Sequence, residues 1–193
     1  MTTSNESPAA GHSMKGREIH NPRTGQRMIF LETAAETAGE LLRIDSFNPP
    51  TDVPEPEHVH PVQESRQEVV SGSLRFVIAG EVRVLGPGES VTIPANVPHY
   101  FANDGEEEAH SIGEFRPALR TAEFFEAFFG FAERGELDAK GMPSLLQLSL
   151  SAEVFGDEIR VTQPPWAVQR LLFATVGPIA RMMGYQPTSA RRR

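Results

Sequence analysis

Between His58 and Pro117, turn-forming residues interrupt the chain at short and regular intervals: Ser71-Gly72, Ala79-Gly80, Gly86-Pro87-Gly88, Pro94 to Pro98, and Asn103 to Gly105. The stretches between them are rich in Val, Ile and Phe, and no helical period runs through them. β-Branched and aromatic side chains suit a pleated, half-buried surface. Strands this short and this evenly spaced bury their apolar faces as a sandwich or a barrel.

The flanking regions read differently. Arg27 to Thr33 and Glu40 to Phe47 are short apolar runs separated by Ala34 to Gly39, which predicts a hairpin or two neighbouring strands. Asn48 to Pro56 holds four prolines in nine residues. Proline fixes φ and lacks the ladder donor, so this segment is a stiff extended loop. After Pro117 the period lengthens. Thr121 to Arg134 carries phenylalanines at 124, 125, 128, 129 and 131, a stripe at helical spacing, and Pro143 to Phe155 and Pro165 to Gly184 read as two further helices opened by proline. The phenylalanine stripe reads as packing against the barrel or a partner subunit, not as a ligand site. At 193 residues the chain suits one well-cored domain with an appendage. The expected organisation is a tail over 1–16, a barrel over 17–117, a helical extension over 118–186 and a tail over 187–193.

Charge and composition exclude several functions. The net charge of -8 opposes a phosphate backbone, so no nucleic-acid partner is expected, and Arg191 to Arg193 read as a solvated basic tail. There is no cysteine, so any metal must sit on nitrogen and oxygen ligands. Met1 to Gly11 is polar and shows no secretory pattern. The apolar stretch from Trp166 to Met183 carries Arg170 and Arg181 and is interrupted by Gly177-Pro178, which makes a poor membrane span. A cytoplasmic location and no membrane partner are the expectations.

His58 and His60 stand at i and i+2, a spacing that sends both imidazoles to one face of a strand. A third histidine, His99, opens a later strand after a proline-bounded loop in GESVTIPANVPHYFAN. These segments resemble the two motifs of the cupin superfamily. The second, Gly-x5-Pro-x-Gly-x2-His-x3-Asn, matches at Gly88, Pro94, His99 and Asn103. Asn96 replaces its middle glycine, and asparagine tolerates the left-handed conformation such turns use. The first motif matches at His58, His60 and Gly72, with Asp52 in place of its leading glycine. Its glutamate is displaced: counting back seven from Gly72 reaches Ser65, and the acidic residue is Glu64.

Strand alternation gives that offset a physical meaning. With Ser65 inward, Gln63 and Gln67 also face in and Glu64 faces out; a bulge at Pro61 to Gln63 would instead turn Glu64 inward. Both remain open from the sequence, with Gln63 the alternative to Glu64 as a fourth metal ligand. The resemblance implies a mainly β jelly-roll barrel of the cupin type, followed here by a C-terminal helical extension. It further implies a metal site on His58, His60, His99 and Glu64. Imidazole-rich ligation suits one divalent transition metal, namely Fe, Ni, Cu, Zn or Mn, rather than Mg or Ca.

Ser65, Gln67, Tyr100, Glu114 and Arg116 are the candidate pocket residues. Glu114 and Arg116 qualify only if the Ala109 to Arg116 strand turns that face inward; His110 reads as a surface residue, and His12 and His20 as incidental. The expected function is an enzyme of oxygenase or isomerase type acting on a small organic molecule, with no catalytic residue assigned. The alternative is a non-catalytic cupin that binds a small molecule over a degenerate metal site. A homodimer is expected. The resemblance fixes no substrate.

Overall fold

The computed structural model of the protein describes residues 13–53 and 55–188. The turn residues found in the sequence separate strands as expected. In chain order these are β1 (Glu18–His20), β2 (Arg27–Glu32), β3 (Leu42–Asn48), β4 (His58–Val59), β5 (Glu64–Ser71), β6 (Leu74–Ile78), β7 (Glu81–Leu85), β8 (Ser90–Ile93), β9 (His99–Ala102) and β10 (Ala109–Arg116). Three helices follow, α1 (Thr121–Glu133), α2 (Leu145–Phe155) and α3 (Trp166–Met182), with the short strand β11 (Arg160–Val161) between the last two.

The strands pair antiparallel into two sheets, ordered β1-β2-β3-β10-β5-β8 and β11-β4-β9-β6-β7. The fold is that of a jelly roll, with two facing sheets instead of one closed cylinder among the described residues. Alternation governs β10, where Ala109, Ser111, Gly113 and Phe115 are buried while His110, Ile112 and Glu114 are half-buried on the other face. One apolar cluster holds Phe30, Leu42, Ile44, Phe115 and Phe129; a second holds Val69, Leu74, Phe76, Val91 and Ile93.

Two turns carry backbone constraints. Gly72 has φ +72°, and a Cβ there would lie 2.8 Å from Ala109 Cα, so no larger residue fits. Asn96 has φ 63°, the left-handed conformation expected of the residue that replaces the motif's glycine.

The helical region packs on the sheets through aromatic contacts. Phe125 meets Phe115 of β10 at 5.7 Å between ring centroids, and Phe124 meets Phe155 of α2 at 5.7 Å. Helix α3 runs through Gly177-Pro178 without ending there. No helix among the described residues is long and apolar enough to cross a membrane. Of the expected tails, residues 1–12 and 189–193, including His12 and the terminal arginines, lie outside the described residues. Within the rest, Met14 is buried in the first apolar cluster, and Pro187 accepts a hydrogen bond from Ser151 Oγ (3.0 Å).

Candidate metal centre

Two backbone segments bring the histidines together. The i, i+2 spacing puts His58 and His60 on one side of the chain at β4, and the ladder pairs His58 directly with His99 of β9. The ring centroids lie 4.5 Å apart for His58 and His99, and 5.1 Å for each of the other two pairs. All three are buried, and one potential ligand atom from each falls within 4.8 Å of the others.

The tautomers follow from the hydrogen bonds. His58 Nδ1 lies 2.9 Å from the Pro56 carbonyl, His60 Nδ1 2.6 Å from the Glu158 carbonyl and His99 Nδ1 2.8 Å from the Val97 carbonyl. A carbonyl only accepts, so each Nδ1 carries the proton and donates it, leaving Nε2 with the free lone pair. Burial keeps the rings neutral. It lowers His58 well below the usual imidazole range, helped by the neighbouring histidines, lowers His60 to about 4 and lowers His99. Three neutral imidazoles with their lone pairs free form a donor set suited to a first-row divalent ion, and the His58, His60 and His99 group is compatible with a metal ion.

Residues 47–112 match the family described as Cupin domain, and this stretch contains all three histidines. That stretch carries a cupin domain. A curated relative, polyketide synthase CurC from Streptomyces cyaneus, is 36% identical over 61 residues, which is 32% of this chain and 40% of that relative's length. Similar solved structures include KdgF from Halomonas sp. (19% identity, TM-score 0.45, 51% of this chain and 86% of that one) and an RmlC-like cupin from Shewanella frigidimarina (21%, TM-score 0.46, 54% and 86%).

The other candidates separate into those that reach the site and those that do not. Glu64 is exposed and pairs across the ladder with Arg116, so it is not brought to the imidazoles. No bulge turns it inward; β5 keeps the register that points Ser65 in, with Ser65 opposite Phe115 and Ile93. Gln63 is fully buried: its Nε2 donates to the Pro117 carbonyl (2.7 Å) and to Thr121 Oγ1 (2.8 Å), clamping the start of α1, while its Oε1, the atom an amide uses to coordinate, has no hydrogen-bond partner. Ser65 and Gln67 line the cavity beside the histidines, Gln67 lying over Gly113, where a Cβ would come within 3.0 Å of its Nε2.

Tyr100 alternates with His99 and Phe101 and interacts with Arg75, while Phe101 lines the cavity in its place. Glu114 faces Arg43 and Arg116 on the outer side of its sheet, so Glu114 and Arg116 are surface charges. His110 stacks on Phe47 and pairs with Asp45 on the same outer face. The motif asparagine, Asn103, is structural: its Nδ2 donates to the carbonyls of Asn48 (2.7 Å) and Glu107 (2.8 Å).

Three contributions were not anticipated from the sequence. The first is Glu55 in the proline-rich loop, the one carboxylate among the residues lining the cavity, with Oε2 3.7 Å from His58 Nδ1. A third of its side chain remains accessible, yet desolvation in the cavity pushes its carboxyl up to about 8. The proline density of its loop was the available signal, since a stiff segment holds a side chain in place. The second is the C-terminal segment itself: β11 pairs with β4 next to His58, and the Glu158 carbonyl orients His60. No local pattern marks a contact across 98 positions.

The third contribution adds to the packing interpretation of the phenylalanine stripe, which the core bears out: Phe129 belongs to the first apolar cluster, and Phe125 and Phe128 pack against it. Phe124, Phe125, Phe128, Phe129 and Phe131 all line the cavity, together with Phe155 and Trp166. The cavity measures about 240 Å³ and is lined by the three histidines as well as by these rings, with Phe115 touching both His60 (5.2 Å) and Phe125 (5.7 Å).

Proposed function

We propose that this cupin holds one divalent transition metal on His58, His60 and His99 and acts on a small organic molecule in the cavity above it, in a reaction of oxygenase or isomerase type. The observation that carries this reading is the set of three carbonyl-anchored imidazoles. Each ring is buried, neutral and fixed in the tautomer that leaves Nε2 free, and all three line one cavity. Hydrogen-bonded core histidines would have no reason to release all three Nε2 atoms toward one point.

A bound metal would supply a Lewis-acidic position open to a substrate oxygen. The remaining roles belong to the chain. Ser65 and Gln67 offer hydroxyl and amide groups to the cavity, the aromatic rings give it an apolar wall, and Glu55 brings the one carboxyl of the lining. Metal analysis of the purified full chain and of His99→Ala tests the assignment. Near-stoichiometric metal in the first and at least a hundredfold weaker retention in the second are expected; equal metal content in both removes the site.

A second reading is favoured by one specific feature. Ser65 occupies the motif position of the carboxylate, and Glu64 faces away from the imidazoles. A non-catalytic cupin that only holds its ligand fits that loss. Mass spectrometry distinguishes the two: a small molecule recovered unaltered after prolonged incubation with metal-loaded protein favours binding alone.

A further inference from the structure

We propose that the cavity takes a flat, uncharged aromatic molecule of one or two rings with an oxygen directed at the imidazoles, and not a sugar or sugar phosphate. The proposal rests on the functional reading above only for the direction of that oxygen. Phe124, Phe125 and Phe128 are half-buried on α1 and present open ring surface to the cavity, and Phe155 and Trp166 continue the wall from α2 and α3. Phe124 lies within 5.5 to 5.8 Å of Phe125, Phe128 and Phe155, in tilted, stacked and edge arrangements. A further ring extends such a cluster by the same contacts.

A sugar would bring a hydroxyl on nearly every carbon, and each would need a polar partner. The helical wall brings two polar side chains, Ser151 and Gln169, and both are engaged: Ser151 Oγ donates to the Pro187 carbonyl (3.0 Å), and Gln169 Nε2 to the carbonyls of Val161 (2.9 Å) and Pro164.

A phosphate fares no better. Three cationic residues line the cavity, and two are already engaged. Arg23 directs its terminal nitrogens at the carbonyls of Asp138 and Ala139, and its Nε is buried. Arg160 bonds the Gly156 carbonyl and Asp157, and its guanidinium lies 4.2 Å from the centre of the Trp166 ring. Only Lys140 is left, without the paired donors that phosphate recognition favours. At about 240 Å³ the space is just below the roughly 300 Å³ where drug-sized sites begin, which limits the ligand to a small ring system.

The test is calorimetric titration of the full chain, zinc-loaded and metal-free, with 2-naphthol and with fructose 6-phosphate. Saturable one-to-one binding of 2-naphthol and none of the sugar phosphate is expected. Ala152→Leu, which extends a side chain from α2 into the cavity, should weaken 2-naphthol binding at least tenfold. Phe128→Leu, which keeps bulk but removes a ring, should weaken it about threefold to tenfold. Unchanged far-ultraviolet dichroism in either variant shows that the fold survives. Fructose 6-phosphate binding in place of 2-naphthol, no saturable 2-naphthol binding, or 2-naphthol binding that neither substitution alters would overturn the proposal. Binding of 2-naphthol by a chain that cannot be loaded with metal would sustain the ligand class while removing the metal reading, and metal uptake without 2-naphthol binding would do the reverse.

Discussion

The histidine floor and the aromatic roof of the cavity are held in place by different forces. His58 and His99 sit opposite each other in a strand ladder, so backbone hydrogen bonds set their separation, and the carbonyls of Pro56 and Val97, each two residues earlier, set their ring orientation. The phenylalanines of α1 and α2 are placed by side-chain packing, on helices joined to the sheets by apolar contact and by β11. Backbone geometry at the floor is local and periodic, which leaves a signature in sequence. Packing at the roof is long-range, and the same Phe stripe would serve a core, a dimer interface or a ligand wall equally well. His60 belongs to both regions, because its orienting carbonyl comes from Glu158.

That division can be broken from the roof first. Phe155→Ala removes a side chain that is 1% exposed and should destabilise the protein by about 3–5 kcal/mol in denaturant unfolding, because the vacated space is only partly refilled. Metal content should stay near one per chain; its loss would show that the floor cannot stand without the roof.

Acid should act on the floor. The folded state holds His60 near 4, while the unfolded chain accepts a proton near 6.5. Folding of the metal-free protein is therefore fully supported above pH 6.5 and loses that support as pH falls toward 4, by about 3 kcal/mol from His60 alone at 1.36 kcal/mol per unit. Thermal melts at pH 7 and pH 4.5 measure the difference, and pH-independent melting would contradict neutral, buried rings.

The joint between the two regions can be probed at Glu158, whose Oε1 accepts from the Arg120 amide and whose carbonyl orients His60. Glu158→Ala should weaken zinc binding about tenfold or more in a chelator competition, as loss of support around a ligand usually does. No change would mean that the segment is held by β11 alone. Ser65→Glu should tighten binding by about tenfold by returning a carboxylate to the inward face of β5, at some loss of stability in the metal-free state. The smallest effect is expected at Glu64. It is exposed and unconnected to the imidazoles, so Glu64→Gln should leave zinc affinity within about twofold and stability within about 0.5 kcal/mol.

Much of the floor was legible before any coordinates. Short strands between turn residues and the shared face of the His-x-His pair follow from periodicity, while the later histidine and the left-handed turn at Asn96 follow from the resemblance to the second cupin motif. Alternation along β5 offered the outward Glu64 as one of two arrangements, and the register with Phe115 and Ile93 selects it. Tyr100, Glu114 and Arg116 were plausible pocket residues for the converse reason. Alternation states that neighbours face opposite ways but not which way is in, and the pairing of whole sheets settles that.

The chain's own order of residues was sufficient for a short-stranded sandwich or barrel and for His58 and His60 on one strand face, because strand periods of two and turn residues act over a few positions, and the resemblance to the cupin motifs added the jelly roll and His99. It was not sufficient for the source of the carboxylate, the anchor of His60 or the use of the phenylalanine stripe. Those depend on segments dozens of positions apart meeting in space: Glu55 beside His58 within a cavity, Glu158 against His60, and α1 over the histidine end of that cavity. Apolar burial is non-directional, so a helix that must hide its aromatic face can do so in many places, and the shape of the assembled sheets selects this one.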